Sequence, residues 1–279
     1  MPLTHKQELL GAQALGLGRL DAQLLLLHAL GKKDVGRAWL LAHDDDVADQ
    51  ASRDQFWALS LRRAAGEPLA YLVGYKEFFG LEFAVDARVL VPRPDTETLV
   101  QWALDVLQSS PSACPGVLDL GTGSGAVAIA IAQHTACTIT AVDASEDALA
   151  VATTNAGRLC VKVSFVQSNW LQDIKGQFDC IVSNPPYIAD DDAHLAALRH
   201  EPASALSAGA DGLDDIRTII ADAPAHMHPG GWLLLEHGYN QAQAVRTLLL
   251  QRGWRRVQSR ADLAGITRCS GGQWPEPDK

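Results

Sequence analysis

Val117-Leu118-Asp119-Leu120-Gly121-Thr122-Gly123-Ser124-Gly125-Ala126 is the stretch on which the fold turns. Val117 to Leu120 is a short apolar run with the length of a buried strand. Three alternate glycines break it, and Ala126 to Gln133 continues as helix formers. Glycine lets a backbone turn tightly and approach a ligand with no Cβ in the way. The segment therefore reads as strand, ligand-binding turn and helix. With Ala126 it also satisfies G-x-G-x-x-A, a dinucleotide fingerprint. A nicotinamide-dependent oxidoreductase is accordingly one reading.

The same alternation extends outward. Ile139 to Val142, Val163 to Val166, Cys180 to Val182 and Trp232 to Leu235 are further short apolar runs. Helical stretches such as Glu146 to Ala156 and Gln241 to Gln251 separate most of them. Strands alternating with helices predict a doubly wound, mainly parallel sheet. Ligands bind such sheets at the carboxyl ends of the strands. Asp143 ends the second run, where a carboxylate accepts from both hydroxyls of a ribose. A helix N-cap is the alternative role for that acid. Ser168-Asn169-Trp170 follows the third run, with Asn169 an acceptor for an adenine amino group and Trp170 a cover for its face.

Upstream, Thr4 to Ala65 is helical in pattern. Leu9, Leu10, Leu20, Leu24, Leu27 and Leu30 recur at helical spacings, and Gly16, Gly18, Gly31 and Gly36 divide the region. A small helical bundle is expected. Ala42-His43-Asp44-Asp45-Asp46 reads as a solvated acidic loop rather than a metal site. Glu77 to Leu90 alternates around Gly80 as a hairpin does. Val91-Pro92-Arg93-Pro94 is a stiff, extended connector, because each proline fixes its own φ and restricts its predecessor.

The 279 residues exceed a usual single domain. Apolar residues make up 47% and charged residues 20%, which is globular composition. A formal charge of −10 lowers the case for duplex nucleic acid, whose binders cluster Lys and Arg. Cys114, Cys137, Cys160, Cys180 and Cys269 are scattered, with no CxxC spacing. They read as reduced core residues of a cytoplasmic protein without a zinc site. No signal peptide is apparent, and the greasy run Leu24 to Leu27 is too short to span a bilayer.

The fourth strand, Phe178 to Ser183, runs directly into Asn184-Pro185-Pro186-Tyr187. The two prolines remove backbone donors and hold the turn rigid. Their carbonyl oxygens, and that of the Asn184 side chain, remain free to accept. An amide or ring-amino nitrogen is a poor nucleophile because its lone pair is delocalised. Two acceptors aimed at its N–H bonds would orient it and favour pyramidal geometry. Tyr187 supplies a ring to lie on a planar substrate. These requirements fit methylation of a planar nitrogen and do not suit hydride transfer.

Asp119 to Gly125, in the form D-x-G-x-G-x-G, together with Phe178 to Ile188, resembles the S-adenosylmethionine-dependent amino-methyltransferases. Glu67 to Gly74, Phe78-Phe79-Gly80, Pro92 to Glu97, Glu201-Pro202, Asp211-Gly212-Leu213, Pro229-Gly230-Gly231, Glu236-His237-Gly238 and Asp262 to Gly265 narrow the likeness. They are similar to the peptide chain release factor glutamine methyltransferases of the HemK/PrmC type. The resemblance implies an α/β, class I, Rossmann-like methyltransferase with a seven-stranded, mostly parallel sheet. It implies an N-terminal helical bundle for substrate recognition over residues 1–72, a hairpin connector over 73–92 and a methyltransferase domain over 93–279. Its cofactor would be S-adenosylmethionine, its substrate the glutamine of a release factor's Gly-Gly-Gln loop, with no metal, nucleic acid or membrane partner.

Carried over by position, Gly121, Thr122, Gly123, Ser124, Gly125, Asp143 and Trp170 would hold the cofactor. Asn184, Pro185, Pro186 and Tyr187 would bind and activate the amide, with Asn184 also beside the cofactor. Asp95 stands where that family usually has Glu. Asn169 stands where many members have an acid, which predicts weaker cofactor binding. Gly271-Gly272-Gln273 repeats the substrate tripeptide and reads as coincidence in a polar tail. A DNA adenine-N6 methyltransferase and a non-catalytic nucleotide-binding adaptor are the rival readings.

Overall fold

A computed structural model describes residues 3–276. The outer ends of the first and last expected domains, residues 1–2 and 277–279, lie outside the described residues. The chain divides into two compact units, the first closing at Tyr75 and the second opening at Lys76.

The first unit is helical: α1 (His5–Ala14), α2 (Arg19–Ala29), α3 (Ala38–Ala42), α4 (Gln50–Ala64) and α5 (Leu69–Val73). Thr4 and Gln7 form a reciprocal capping box that starts α1. Asp49 caps α4 through Ser52 N at 2.8 Å. The buried face of α2 is Ala22, Leu25, Leu26 and Ala29, at i, i+3, i+4 and i+7. Leu10 and Leu20, which the spacing places inward, are instead 58% and 49% exposed. Four consecutive leucines in α2 leave the frame ambiguous, and packing on α4 selects it. The acidic loop has a structural role, since Asp46 O and Asp44 O accept from His5 N and Lys6 N. His43 stacks on Trp39 at 4.0 Å.

A short hairpin follows, β1 (Tyr75–Phe78) and β2 (Leu81–Ala84), turning at Gly80 with φ +75°. It ends well short of Leu90, because residues 85–90 leave the strand conformation. The remaining elements are α6 (Glu97–Gln108), β3 (Gly116–Leu120), α7 (Ala126–His134), β4 (Thr138–Asp143), α8 (Glu146–Arg158), β5 (Ser164–Gln167), β6 (Phe178–Ser183), α9 (Asp214–Asp222), β7 (Met227–Glu236), α10 (Ala242–Arg252), β8 (Arg255–Ala261) and β9 (Thr267–Gln273). They build a seven-stranded sheet in the order β5-β4-β3-β6-β7-β9-β8. The first five in that order run parallel, and β9 is antiparallel to both β7 and β8.

Leu118, Leu120, Ile181, Leu233 and Leu235 are fully buried on this sheet, each contributing roughly 1.5–3 kcal/mol. The extended connector is clamped from a distance: Glu201 forms an ion pair with Arg93 and accepts from Val91 N at 3.1 Å. Two expectations need correction. Gly271-Gly272-Gln273 is no tail but the end of β9, between β7 and β8. A Cβ on Gly271 would lie 2.5 Å from Leu233 O, so the close strand approach demands glycine. Of the cysteines only Cys180 and Cys269 are buried, whereas Cys114 and Cys160 are exposed. All five are free thiols.

Candidate active site

The sheet order reverses between β3 and β6, because β4 and β5 extend one way and β6 and β7 the other. Such a reversal opens a crevice at the carboxyl ends of the strands. A cavity of about 510 Å³ lies there, within the range of cofactor sites. Residues following β3, β4, β5 and β6 line it, together with the connector at Pro92 and Arg93.

Gly121, Thr122, Gly123 and Ser124 form one wall. Thr122 N donates to Val142 O at 2.8 Å, and Gly123 N to Asp143 Oδ2 at 2.9 Å. Gly121 has φ +71°, and a Cβ there would come 3.2 Å from the Trp170 ring. Gly125 differs from its neighbours. It is absent from the cavity lining, and its Cβ would strike Ile129 Cδ1 at 2.9 Å and Ala152 Cβ at 3.2 Å. That glycine therefore seats α7 against α8 behind the turn.

Asp119 lies under the turn, accepting from Thr122 Oγ1 at 2.6 Å and Ala128 N at 3.2 Å. Burial pushes its carboxyl up to about 7, with the Asp143 charge adding to the rise and the two donors opposing it. Asp143 accepts one backbone N–H on each oxygen, from Gly123 and from Ser145, both at 2.9 Å. A carboxylate has about four lone-pair sites, so both oxygens retain capacity for hydroxyl donors. The cap of α8 is Ser145, which accepts from Ala148 N at 3.2 Å.

Trp170 and exposed Asn169 also line the cavity. Trp170 holds φ +50°, a backbone region that costs a non-glycine residue roughly 1–2 kcal/mol. Its indole Nε1 donates to Asp215 Oδ1 at 3.1 Å.

The tetrapeptide stands at the end of the neighbouring strand, since Leu120 of β3 pairs with Ser183 of β6. Asn184 and Pro186 line the cavity, whereas Pro185 and Tyr187 are not among its lining residues. Asn184 Nδ2 donates to Thr96 Oγ1 at 3.2 Å, which leaves its side-chain oxygen available. Among the described residues no donor hydrogen-bonds the Pro185 carbonyl. The Tyr187 hydroxyl donates to Glu236 Oε1 at 3.3 Å, and its carbonyl accepts from Gln241 Nε2 at 3.0 Å. A Cβ on Gly212 would lie 2.2 Å from that carbonyl, so glycine is required there as well. Burial raises the Tyr187 phenol, keeping it a proton donor. Burial also pushes Glu236 up to about 7, against the lowering effect of the Thr96 and Tyr187 hydroxyls.

The structure thus brings the two predicted motifs together at one cavity, at the ends of the adjacent strands β3 and β6. It adds Thr96, Asp215, Glu236 and Gln241, to which the sequence reading assigned no role. Glu236 had a faint signal, an acid ending an apolar strand. Asp215 sits in an acid-rich stretch that looks merely solvated, so nothing local distinguishes it. Among the described residues no helix is long and apolar enough to cross a membrane, and no group of His, Cys, Asp or Glu is placed to hold a metal.

Residues 100–261 match the family model described as Methyltransferase small domain, and residues 3–74 that described as PrmC N-terminal domain. The chain is 50% identical to a release factor glutamine methyltransferase of Bordetella pertussis over 262 residues, covering 92% of this chain and 95% of that one. It is 50% identical to the protein of the same description from Burkholderia pseudomallei, covering 93% of each. A solved methyltransferase from Pyrococcus furiosus superposes with a TM-score of 0.55 at 20% identity, over 79% of this chain and 98% of that one, and shows the fold alone.

Proposed function

The chain belongs to the release factor glutamine methyltransferase family, and we propose that it methylates the side-chain amide nitrogen (N5) of the glutamine in a release factor's Gly-Gly-Gln loop. The observation that carries this reading is the shared cavity, lined by Gly121 to Ser124 after β3 and by Asn184 and Pro186 after the adjacent β6. S-adenosylmethionine is the methyl donor, and the cavity fits it. The glycine turn keeps open a space that a Cβ at Gly121 would encroach on. Asp143 retains lone pairs for a ribose, and Trp170 presents a half-buried ring for a base. Gly121, Thr122, Gly123, Ser124, Asp143 and Trp170 would hold the cofactor, with Gly125 supporting the turn from behind. When bound, it supplies a methyl group activated by a positively charged sulfur.

The chain's own residues then act on the amide. Asn184 Oδ1 and the Pro185 carbonyl would accept its two N–H bonds and so fix the orientation of the amide nitrogen. Pro186 keeps the turn rigid, and the hydrogen bonds at the Tyr187 hydroxyl and carbonyl hold the end of the tetrapeptide in place behind it. Holding the reactants in line removes on the order of 7–11 kcal/mol of barrier. No base need act before attack, because the proton leaves once the nitrogen is cationic. The N-terminal helical unit takes part in recognising the release factor, and the reaction belongs to the cytoplasm, where translation ends.

Incubation with methyl-labelled cofactor and, separately, a release factor, DNA or no substrate tests this. Label on the release factor glutamine is expected, lost in Asn184→Ala while cofactor still binds. Label on DNA and none on the release factor would overturn it.

A further inference from the structure

The two prolines after Asn184 carry no N–H, so the middle of the tetrapeptide has no donor with which to tie itself down. The turn is anchored on either side instead. Before it, Ser183 Oγ donates to Leu120 O at 2.7 Å. After it, Gln241 Nε2, at the head of α10, donates to Tyr187 O at 3.0 Å. The same nitrogen reaches Asp211 O at 3.1 Å and Gly212 O at 3.4 Å, so one NH2 group with two protons gathers three carbonyls. Gln241 Oε1 accepts from Gly238 N at 2.8 Å, which fixes the polarity of the amide. Turned over, it would set N–H against N–H and its oxygen against the carbonyls.

Two glycines make room for this side chain. A Cβ on Gly212 would lie 2.2 Å from Tyr187 O and 3.0 Å from Gln241 Nε2, and one on Gly238 would lie 3.0 Å from Gln241 Oε1. Asp211 and Gly212 lead directly into α9, where Asp215 accepts from the Trp170 indole at 3.1 Å. Gln241 thus joins three segments: the chain leaving β7, the tetrapeptide after β6, and the loop that carries the partner of Trp170.

We propose, on the footing that the tetrapeptide receives the substrate amide, that Gln241 is a positioning residue for methyl transfer. It lies outside the cavity lining and acts through what it holds. By tying Tyr187 O to the loop before α9, it sets where the substrate-binding turn stands relative to the Trp170 side of the cofactor site. Its targets distinguish it from an ordinary helix cap. The NH2 group donates nothing to α10 and serves only the segments that carry the turn and the partner of Trp170. Buried carbonyls gathered without that donor would be left unsatisfied and would move apart.

The experiment compares wild type with Gln241→Glu and Gln241→Met at saturating S-adenosylmethionine and release factor, well below each melting temperature. Glutamate keeps the length and the acceptor facing Gly238 but loses the NH2 group, and methionine keeps only the bulk. Both should lower kcat roughly tenfold to a hundredfold, the scale of a small misplacement of the reactants. Release factor KM and cofactor Kd should stay within a few-fold of wild type. Without substrate, the backbone 15N signal of Ile188, whose N–H shares a peptide group with the Tyr187 carbonyl, should shift in both variants. In wild type the Gln241 side-chain NH2 should exchange slowly with solvent, a measurement that needs no variant to fold. Wild-type kcat in the folded variants would overturn the proposal and leave Gln241 a purely structural tie. An unmoved Ile188 signal or a rapidly exchanging NH2 would overturn it as well. Wild type that leaves the release factor unlabelled strikes the proposed substrate instead, and the Ile188 and Gln241 signals still decide what Gln241 holds.

Discussion

The Trp170 indole, on a backbone held at φ +50°, is tied to Asp215 at the start of α9 by a 3.1 Å hydrogen bond from Nε1 to Oδ1. Asp215 is thus what aims the ring into the cavity, and burial raises its carboxyl in return. Asp215→Ala should weaken S-adenosylmethionine binding roughly tenfold, the worth of one hydrogen bond to a charged group. Calorimetric titration decides it, and an unchanged Kd would show that packing alone orients Trp170.

Gly121 and Gly125 belong to one motif yet should fail differently. Gly121→Ala places a Cβ 3.2 Å from the Trp170 ring, within the cavity wall. Cofactor affinity should fall with little loss of stability beyond roughly 1 kcal/mol for the left-handed backbone. Gly125→Ala drives a Cβ to 2.9 Å from Ile129 Cδ1, so it should cost roughly 1–3 kcal/mol of folding stability. Paired melting and binding curves separate the two outcomes.

Asp119 makes stability depend on pH with a definite sign. Burial pushes its carboxyl up to about 7 in the fold, above the ordinary 3.8. Between those values the folded state holds the extra proton, so this group's contribution falls as pH rises. Asp119→Asn should therefore gain stability relative to wild type from about pH 4 to 7, on the order of a few kcal/mol. A difference in melting temperature that stays constant with pH would refute the shift.

Gly271-Gly272-Gln273 should stay unmodified. Gln273 Nε2 donates to Gly230 O at 2.7 Å, inside the sheet and occupied. Mass spectrometry after incubation with cofactor should find no methyl on Gln273. Gly271→Ala, with its Cβ 2.5 Å from Leu233 O, should destabilise the β7–β9 pairing by roughly 1–3 kcal/mol or more.

By itself the sequence determined whatever chemistry is written locally. The strand–glycine–helix of residues 117–126 and the strand ending in Asn184-Pro185-Pro186-Tyr187 each carry their own backbone demands, and alternating period predicted the parallel sheet. It left β8 and β9 unread, because β8 is mostly polar and partly exposed and β9 is rich in Gly and Ser. It misjudged the tripeptide in β9 for the same reason, since glycines chosen for close strand approach resemble glycines of a tail. Only the tertiary structure decided which residues stand behind the motifs. Thr96, Asp215 and Glu236 reach the site from elements far apart in the chain, and no spacing rule links Asn184 to Thr96 or the Tyr187 hydroxyl to a carboxylate at the end of β7. Hydrogen bonding in a dry interior is directional and non-local, so the orientation of Asn184 is a property of the fold rather than of its tetrapeptide.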